Sequence, residues 1–324
     1  MPKIPKGCRM AATVSLCGIN PSRTTLIAAA LAMASGFLSA PAHALTFNVT
    51  YDSSVGSAPS GFQSAFQNAI SFYEASFSNP IAINLNVGWG TLNGQAFSGL
   101  GGTQYYALAP RYSDVRNALL GAGAPGSQTL PSSAPGGLAM QISTANAKAL
   151  GLNVAGPPTS TDAFIGFGSS FSYDFDPSNG VSSGTFDFMG VAEHEISEAM
   201  GRFSSLPSGK LSVQDLYRYT APGVRDLSGT SAYFSVDGGV TNINTFNSTA
   251  GGDVGDWALS AGHDSFDAFV YSGVKNPVSA GDLTLMASLG YTLAAPVPEP
   301  SEAAFMLAGL GLLGWRYRSR RKAA

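Results

Sequence analysis

The stretch 191–202, VAEHEISEAMGR, sets a histidine beside a glutamate, with a second glutamate three residues further on. Positions three and four apart are neighbours on a helix, so His194, Glu195 and Glu198 can point into one cleft. An imidazole and a carboxylate at that spacing are donor types that hold a divalent cation, and a further carboxylate beside them can move protons. Residues 45–298 hold only four glutamates, and Glu193, Glu195 and Glu198 are three of them. Glu195 and Glu198 repel each other unless a positive charge stands near. A metal would supply that charge. So would Arg202, four residues after Glu198 in the favourable orientation for a surface ion pair worth a few tenths of a kcal/mol, in which case the helix is salt-bridged and His194 a bystander.

These residues need a helix under them, and 186–203 reads as one. Met189, Ala192, Ile196, Ala199, Met200 and Phe203 form its apolar face, with a cap near Thr185 or Asp187 and Gly201 at its C-terminal turn. Upstream, 47–52 (FNVTYD) alternates as a strand, and 60–77 spaces Phe62, Phe66, Ile70, Tyr73 and Phe77 as a helix with Ser60 as N-cap. Next, 81–89 alternates Ile81, Ile83, Leu85 and Val87 against polar neighbours, a second strand, and 114–120 reads as a short helix. Residues 121–137, rich in Gly, Pro and Ser, read as a surface loop. Ser279 and Asp282 cap a C-terminal helix carrying Leu285, Met286 and Leu289, with Met286 most simply ordinary core. Strand, helix, strand, loops and then a motif helix give an α+β order.

The ends bound this domain at 45–296. Residues 1–44 place Lys3, Lys6, Arg9 and Arg23 before an apolar run and end in Ala-His-Ala, which reads as a secretory signal peptide cleaved after Ala44. Residues 297–324 hold VPEP, an apolar stretch over 303–315 and the basic cluster RYRSRRK. This order resembles the PEP-CTERM sorting signal of Gram-negative bacteria. The resemblance implies a transmembrane helix held transiently in the inner membrane, with its arginines on the cytoplasmic side. It also implies exosortase and signal peptidase as partners during export, and a final place outside the cell or on its surface. Cys8 and Cys17 both lie in the signal segment, so disulfides and thiolate ligands are excluded from 45–296. Residues 45–298 carry 8 basic and 18 acidic side chains, a net charge of −10. Such a surface argues against nucleic acid and against docking on anionic lipid, leaving the C-terminal helix before processing as the membrane contact.

The sequence H-E-x-x-E departs at its last position from the zinc-binding helix motif H-E-x-x-H. Around it, the blocks EHEISEAMGR (193–202), DLYRYTAPGVR (215–225), YFSVDGG (233–239), TFN (245–247), GDVGDW (252–257), DAF (267–269) and DLTLMASLGY (282–291) run in one order. Together they resemble a group of secreted, zincin-like metalloproteases that carry PEP-CTERM tails. The resemblance implies a zincin-like α+β domain with a mixed sheet and an active-site helix, acting as a zinc-dependent endopeptidase on peptide or protein substrates.

On that footing His194 and Glu198 are metal ligands and Glu195 is the general base. The third ligand is His263, the other histidine left in the domain, with Asp215 as the alternative; Tyr217 and Tyr219 are candidates to stabilise the oxyanion. The loops 252–257 and 263–267 are candidates for calcium, although each lacks the EF-hand spacing and reads more simply as a turn. Oxygen-rich ligation also permits a metal other than zinc. The alternative from another class is a catalytically inactive zincin-like protein of the cell surface or extracellular matrix. No nucleophile triad, P-loop or dinucleotide fingerprint competes.

Overall fold

A computed structural model describes residues 45–153, 160–295 and 309. The signal segment 1–44 and nearly all of the tail 297–324 lie outside the described residues. Among the described residues no helix is long and apolar enough to cross a membrane.

In chain order the main elements are β1 (Thr46–Tyr51), α1 (Phe62–Ser76), β2 (Ala82–Trp89), β3 (Gly101–Tyr105), α2 (Tyr112–Gly121), α3 (Thr144–Ala149), β4 (Ala163–Phe167), α4 (Phe188–Met200), β5 (Arg218–Ala221), β6 (Val224–Arg225), β7 (Tyr233–Phe234), β8 (Asn244–Thr245) and α5 (Ala280–Ser288). The protein is a mixed α+β structure. Its first sheet has the order β1-β2-β4-β3, with β1, β2 and β4 parallel and β3 antiparallel at the edge. A second, antiparallel sheet has the order β6-β5-β7-β8.

The alternation in β2 does what its spacing predicts. Ile83, Leu85 and Val87 are buried, while Asn84 and Asn86 bond Asn48 and Thr50 of β1 on the other face. Against the apolar face lie α1 and α4. Phe62 of α1 meets Trp89, Phe167 and Phe188 at ring separations of 5.0, 5.5 and 5.3 Å, edge to face. Each such pair adds about 0.5–1.5 kcal/mol beyond the area it buries. The Tyr73 hydroxyl donates to the Glu193 carbonyl of α4 at 2.8 Å, fixing the two helices in register.

Two local expectations need correction. Helix α1 starts at Phe62 with Gly61 as its N-cap and no side-chain cap, so Ser60 does not cap it. Helix α4 is shorter than 186–203: Phe186 and Asp187 pair with Tyr173 and Asp174, and the Asp187 carboxylate then accepts from Met189 N–H at 3.1 Å. Asp187 is therefore the cap, and Thr185 is not. At the other end Gly201 adopts φ 119°, left-handed backbone that favours glycine, and Arg202 N–H closes back on the Ser197 carbonyl at 3.0 Å. Phe203 leaves the helix to stack on Tyr105 of β3, 4.1 Å between centroids. In α5, Ser279 and Asp282 form the predicted capping box, and Met286 is core.

Candidate metal centre

Helix α4 packs on edge strand β3, toward which Glu195 points, and presents His194 and Glu198 toward the loops that carry Asp256 and Ser265. The His194 Nδ1 stands 2.8 Å from the Ser265 carbonyl. A carbonyl only accepts, so Nδ1 carries the proton and Nε2 keeps the lone pair when the ring is neutral. Nε2 faces the Glu198 Oε1 at 3.4 Å and the Asp256 Oδ1 at 3.7 Å. Among the described residues, His194, Glu198 and Asp256 form a group of three donors whose ligand atoms all lie within 4.8 Å of one another.

Asp256 reaches this point because its neighbour is anchored. Trp257 is fully buried, its Nε1 donates to Asp282 at 2.7 Å, and its backbone bridges to Phe246 and Asp267. The Asn247 N–H holds the Asp256 carbonyl at 2.7 Å. A buried indole thus carries the adjacent carboxylate over the motif helix.

Arg202 lies under the group rather than on the surface. Its guanidinium is fully buried: Nη1 donates to Asp256 Oδ1, Nε donates to Ser197 Oγ at 2.6 Å, and the group sits 4.3 Å over the Phe266 ring. Nη2 is 3.8 Å from Glu198 Oε1. Burial and Arg202 pull the His194 pKa down, yet Asp256 and Glu198 hold it at about 9.

Glu195 points the other way. Its Oε2 accepts from the Thr103 hydroxyl of β3 at 2.8 Å, and its Oε1 lies against Gly101. A β-carbon on Gly101 would come within 2.3 Å of that oxygen, so the close approach depends on glycine. Burial first, and then the Glu198 charge, push the Glu195 carboxyl well above the usual carboxylate range. With His194, Gly101, Val191, Asp267 and Val270 it lines a cleft of about 160 Å³. His194 belongs to both the cleft and the three-donor group, whereas Glu198 and Asp256 do not line the cleft.

The other expected site residues lie elsewhere. His263 is exposed and outside the donor group. Asp215 is fully buried but committed to its own loop, accepting from Ser204 Oγ, Ser205 N–H and both Ser212 N–H and Oγ at 2.7–3.0 Å. Neither Tyr217 nor Tyr219 lines the cleft; Tyr219 meets Thr129 at 3.3 Å and lies under Arg225. The phenol that feels Glu198 is Tyr105, raised well above its ordinary value by burial and then by Glu198. In the Asp-rich loops Asp253 accepts from Gly255 N–H and Asp264 from Phe266 N–H, the turn role rather than a calcium loop.

Comparison with known proteins decides one matter. The PEP-CTERM protein-sorting motif matches residues 296–322. The chain carries an export signal. That motif marks a protein exported in Gram-negative bacteria, anchored transiently through its C-terminus and processed by exosortase. No curated protein and no solved structure matches the chain.

Proposed function

We propose that this exported protein is a metal-dependent endopeptidase of zincin-like type, with His194, Glu198 and Asp256 as the ligands that would hold zinc. The observation that carries the reading is the convergence of those three donors, with His194 shared between that group and the cleft that Glu195 lines. One neutral imidazole and two carboxylates are a fitting donor set for zinc, and the Ser265 carbonyl behind Nδ1 orients the imidazole as an outer partner should. Zinc in that group supplies a Lewis acid for water and for a peptide carbonyl.

The chain's own residues do the rest. Thr103 occupies Oε2 of Glu195 and leaves Oε1 to accept a proton from water and return it to the leaving amine. The raised proton affinity of that carboxyl suits it to the transfer near neutral pH. The outer edge of β3 pairs with no described strand, so an extended peptide laid along Gly101–Tyr105 would gain backbone hydrogen bonds next to Glu195.

Arg202 supports a second reading. Its guanidinium already neutralises Asp256 and stands near Glu198, so the group is also satisfied as a metal-free ion-pair network. A catalytically inactive surface or matrix protein would keep the helix in this form. Activity separates the two. Hydrolysis of quenched peptide libraries by the zinc-supplemented chain should fall by about 10²–10⁴-fold in Glu195→Gln, with metal retained. Equal rates in the two proteins would remove Glu195 as the base, and no hydrolysis by either would favour the inactive reading.

A further inference from the structure

A second cavity of about 360 Å³ opens on the α1 side of the motif helix. Phe72 of α1, Phe175, Met189 and Val278 supply its apolar walls, all partly exposed. Glu193 lies in it, one residue before His194 and turned about 100° from it around the helix. Only 8% of the Glu193 residue is exposed, its carboxylate oxygens open on the cavity, and they have no hydrogen-bond or ion-pair partner among the described residues. Neighbouring acids are spoken for. Asp187 caps α4 and accepts from Asn276 N–H at 2.9 Å, and Asp176 accepts from Ser178 N–H. Lys275 is exposed and within electrostatic reach of Glu193, but forms no ion pair with it.

A carboxylate that faces a half-enclosed cavity with no protein donor of its own leaves its acceptor oxygens for a bound cation to meet. The surroundings favour an organic cation over a metal. One free carboxylate offers too few ligands, and Glu193 belongs to no three-donor group. Aromatic rings attract an ammonium or guanidinium through their faces, and apolar walls suit the alkyl stem that carries it. We propose that the Glu193 cavity, floored by a free carboxylate and walled by Phe72 and Phe175, binds an alkylammonium or alkylguanidinium group. A lysine or arginine side chain and a free small amine present the same chemistry. The site is separate from the His194 group and does not depend on the peptidase reading.

The test is calorimetric titration of the purified full-length chain with n-butylammonium chloride and with N-acetyl-lysine N-methylamide, using n-butanol as the neutral control. Saturable binding of the ammonium compounds but not the alcohol is expected. It should weaken at least about tenfold in Glu193→Gln and about two- to fivefold in Phe175→Leu, and stay unchanged in Asp114→Asn, an exposed carboxylate on α2. Tighter binding of the lysine derivative would assign the site to a peptide-borne side chain; equal binding would assign it to small amines. No saturable binding, equal binding by a folded Glu193→Gln, or Glu193-dependent binding of calcium chloride in place of the amine would overturn the proposal. So would binding that emerges only in Lys275→Met, because Lys275 would then be the cavity's own occupant.

Discussion

Arg202→Met is the most informative single perturbation of the His194 group. The guanidinium is fully buried and faces Asp256, Glu198 and the Ser197 hydroxyl, so its removal leaves carboxylates uncompensated while methionine keeps most of the packing over Phe266. Breaking a buried ion pair from one side costs about 3–5 kcal/mol. For a domain of this size each kcal/mol moves Tm by about 2–4 °C, so metal-free Arg202→Met should melt about 6–20 °C below wild type. A bound divalent cation would replace the lost positive charge. Zinc should therefore raise the Tm of Arg202→Met more than that of wild type, as differential scanning calorimetry with and without chelator can read. A shift below about 2 °C in the metal-free state would show that Asp256 and Glu198 are not held as buried charges. Equal zinc effects in the two proteins would refute the argument that metal and guanidinium neutralise the same carboxylates.

Other expectations follow from neighbouring geometry. Gly101→Ala puts a β-carbon 2.3 Å from Glu195 Oε1 and 2.8 Å from Val191. The carboxylate must move by roughly 1 Å, so peptide hydrolysis should drop about 10²-fold at a stability cost of about 1–3 kcal/mol, and wild-type kinetics would contradict this placement of Glu195. Burial first, then Asp187, against the pull of Lys275, raises the Glu193 carboxyl to about 8. A raised carboxyl gives stability that is complete below its unfolded pKa and is lost as pH rises through the folded one. The margin by which Glu193→Gln exceeds wild type in thermal stability should thus grow between about pH 4 and 8, by a few kcal/mol at most, and a pH-independent margin would contradict the burial argument.

The motif helix was legible from its own residues because the information is local. Asp187, the apolar face and Gly201 are all within one helix length of His194, and the Ser279–Asp282 capping box is equally short-range. The alternation of 81–89 located β2 for the same reason. Asp256 was not legible as a partner of His194, since what carries it there is the burial of Trp257 and its bond to Asp282, contacts that no spacing rule expresses. His263 was favoured on its chemical type and its place among the blocks that carry the resemblance, yet it is exposed. Arg202 shows the same limit. Its i, i+4 relation to Glu198 was visible, but the loops that turn a surface pair into a buried hub come from 54 and 64 residues downstream, where Asp256 and Phe266 close over it. Thr103 and Gly101 were missed because only the register of an edge strand sets them against Glu195. A short, glycine-rich strand ahead of the motif was the one signal pointing to them.

Whether His194, Glu198 and Asp256 hold a metal is answered directly by elemental analysis of the purified chain. Wild type and His263→Ala should each carry about one zinc per chain, while His194→Ala and Asp256→Ala should carry none. A folded wild-type chain without metal, or an Asp256→Ala variant that keeps it, would contradict the assignment and leave the His194 group as an ion-pair network.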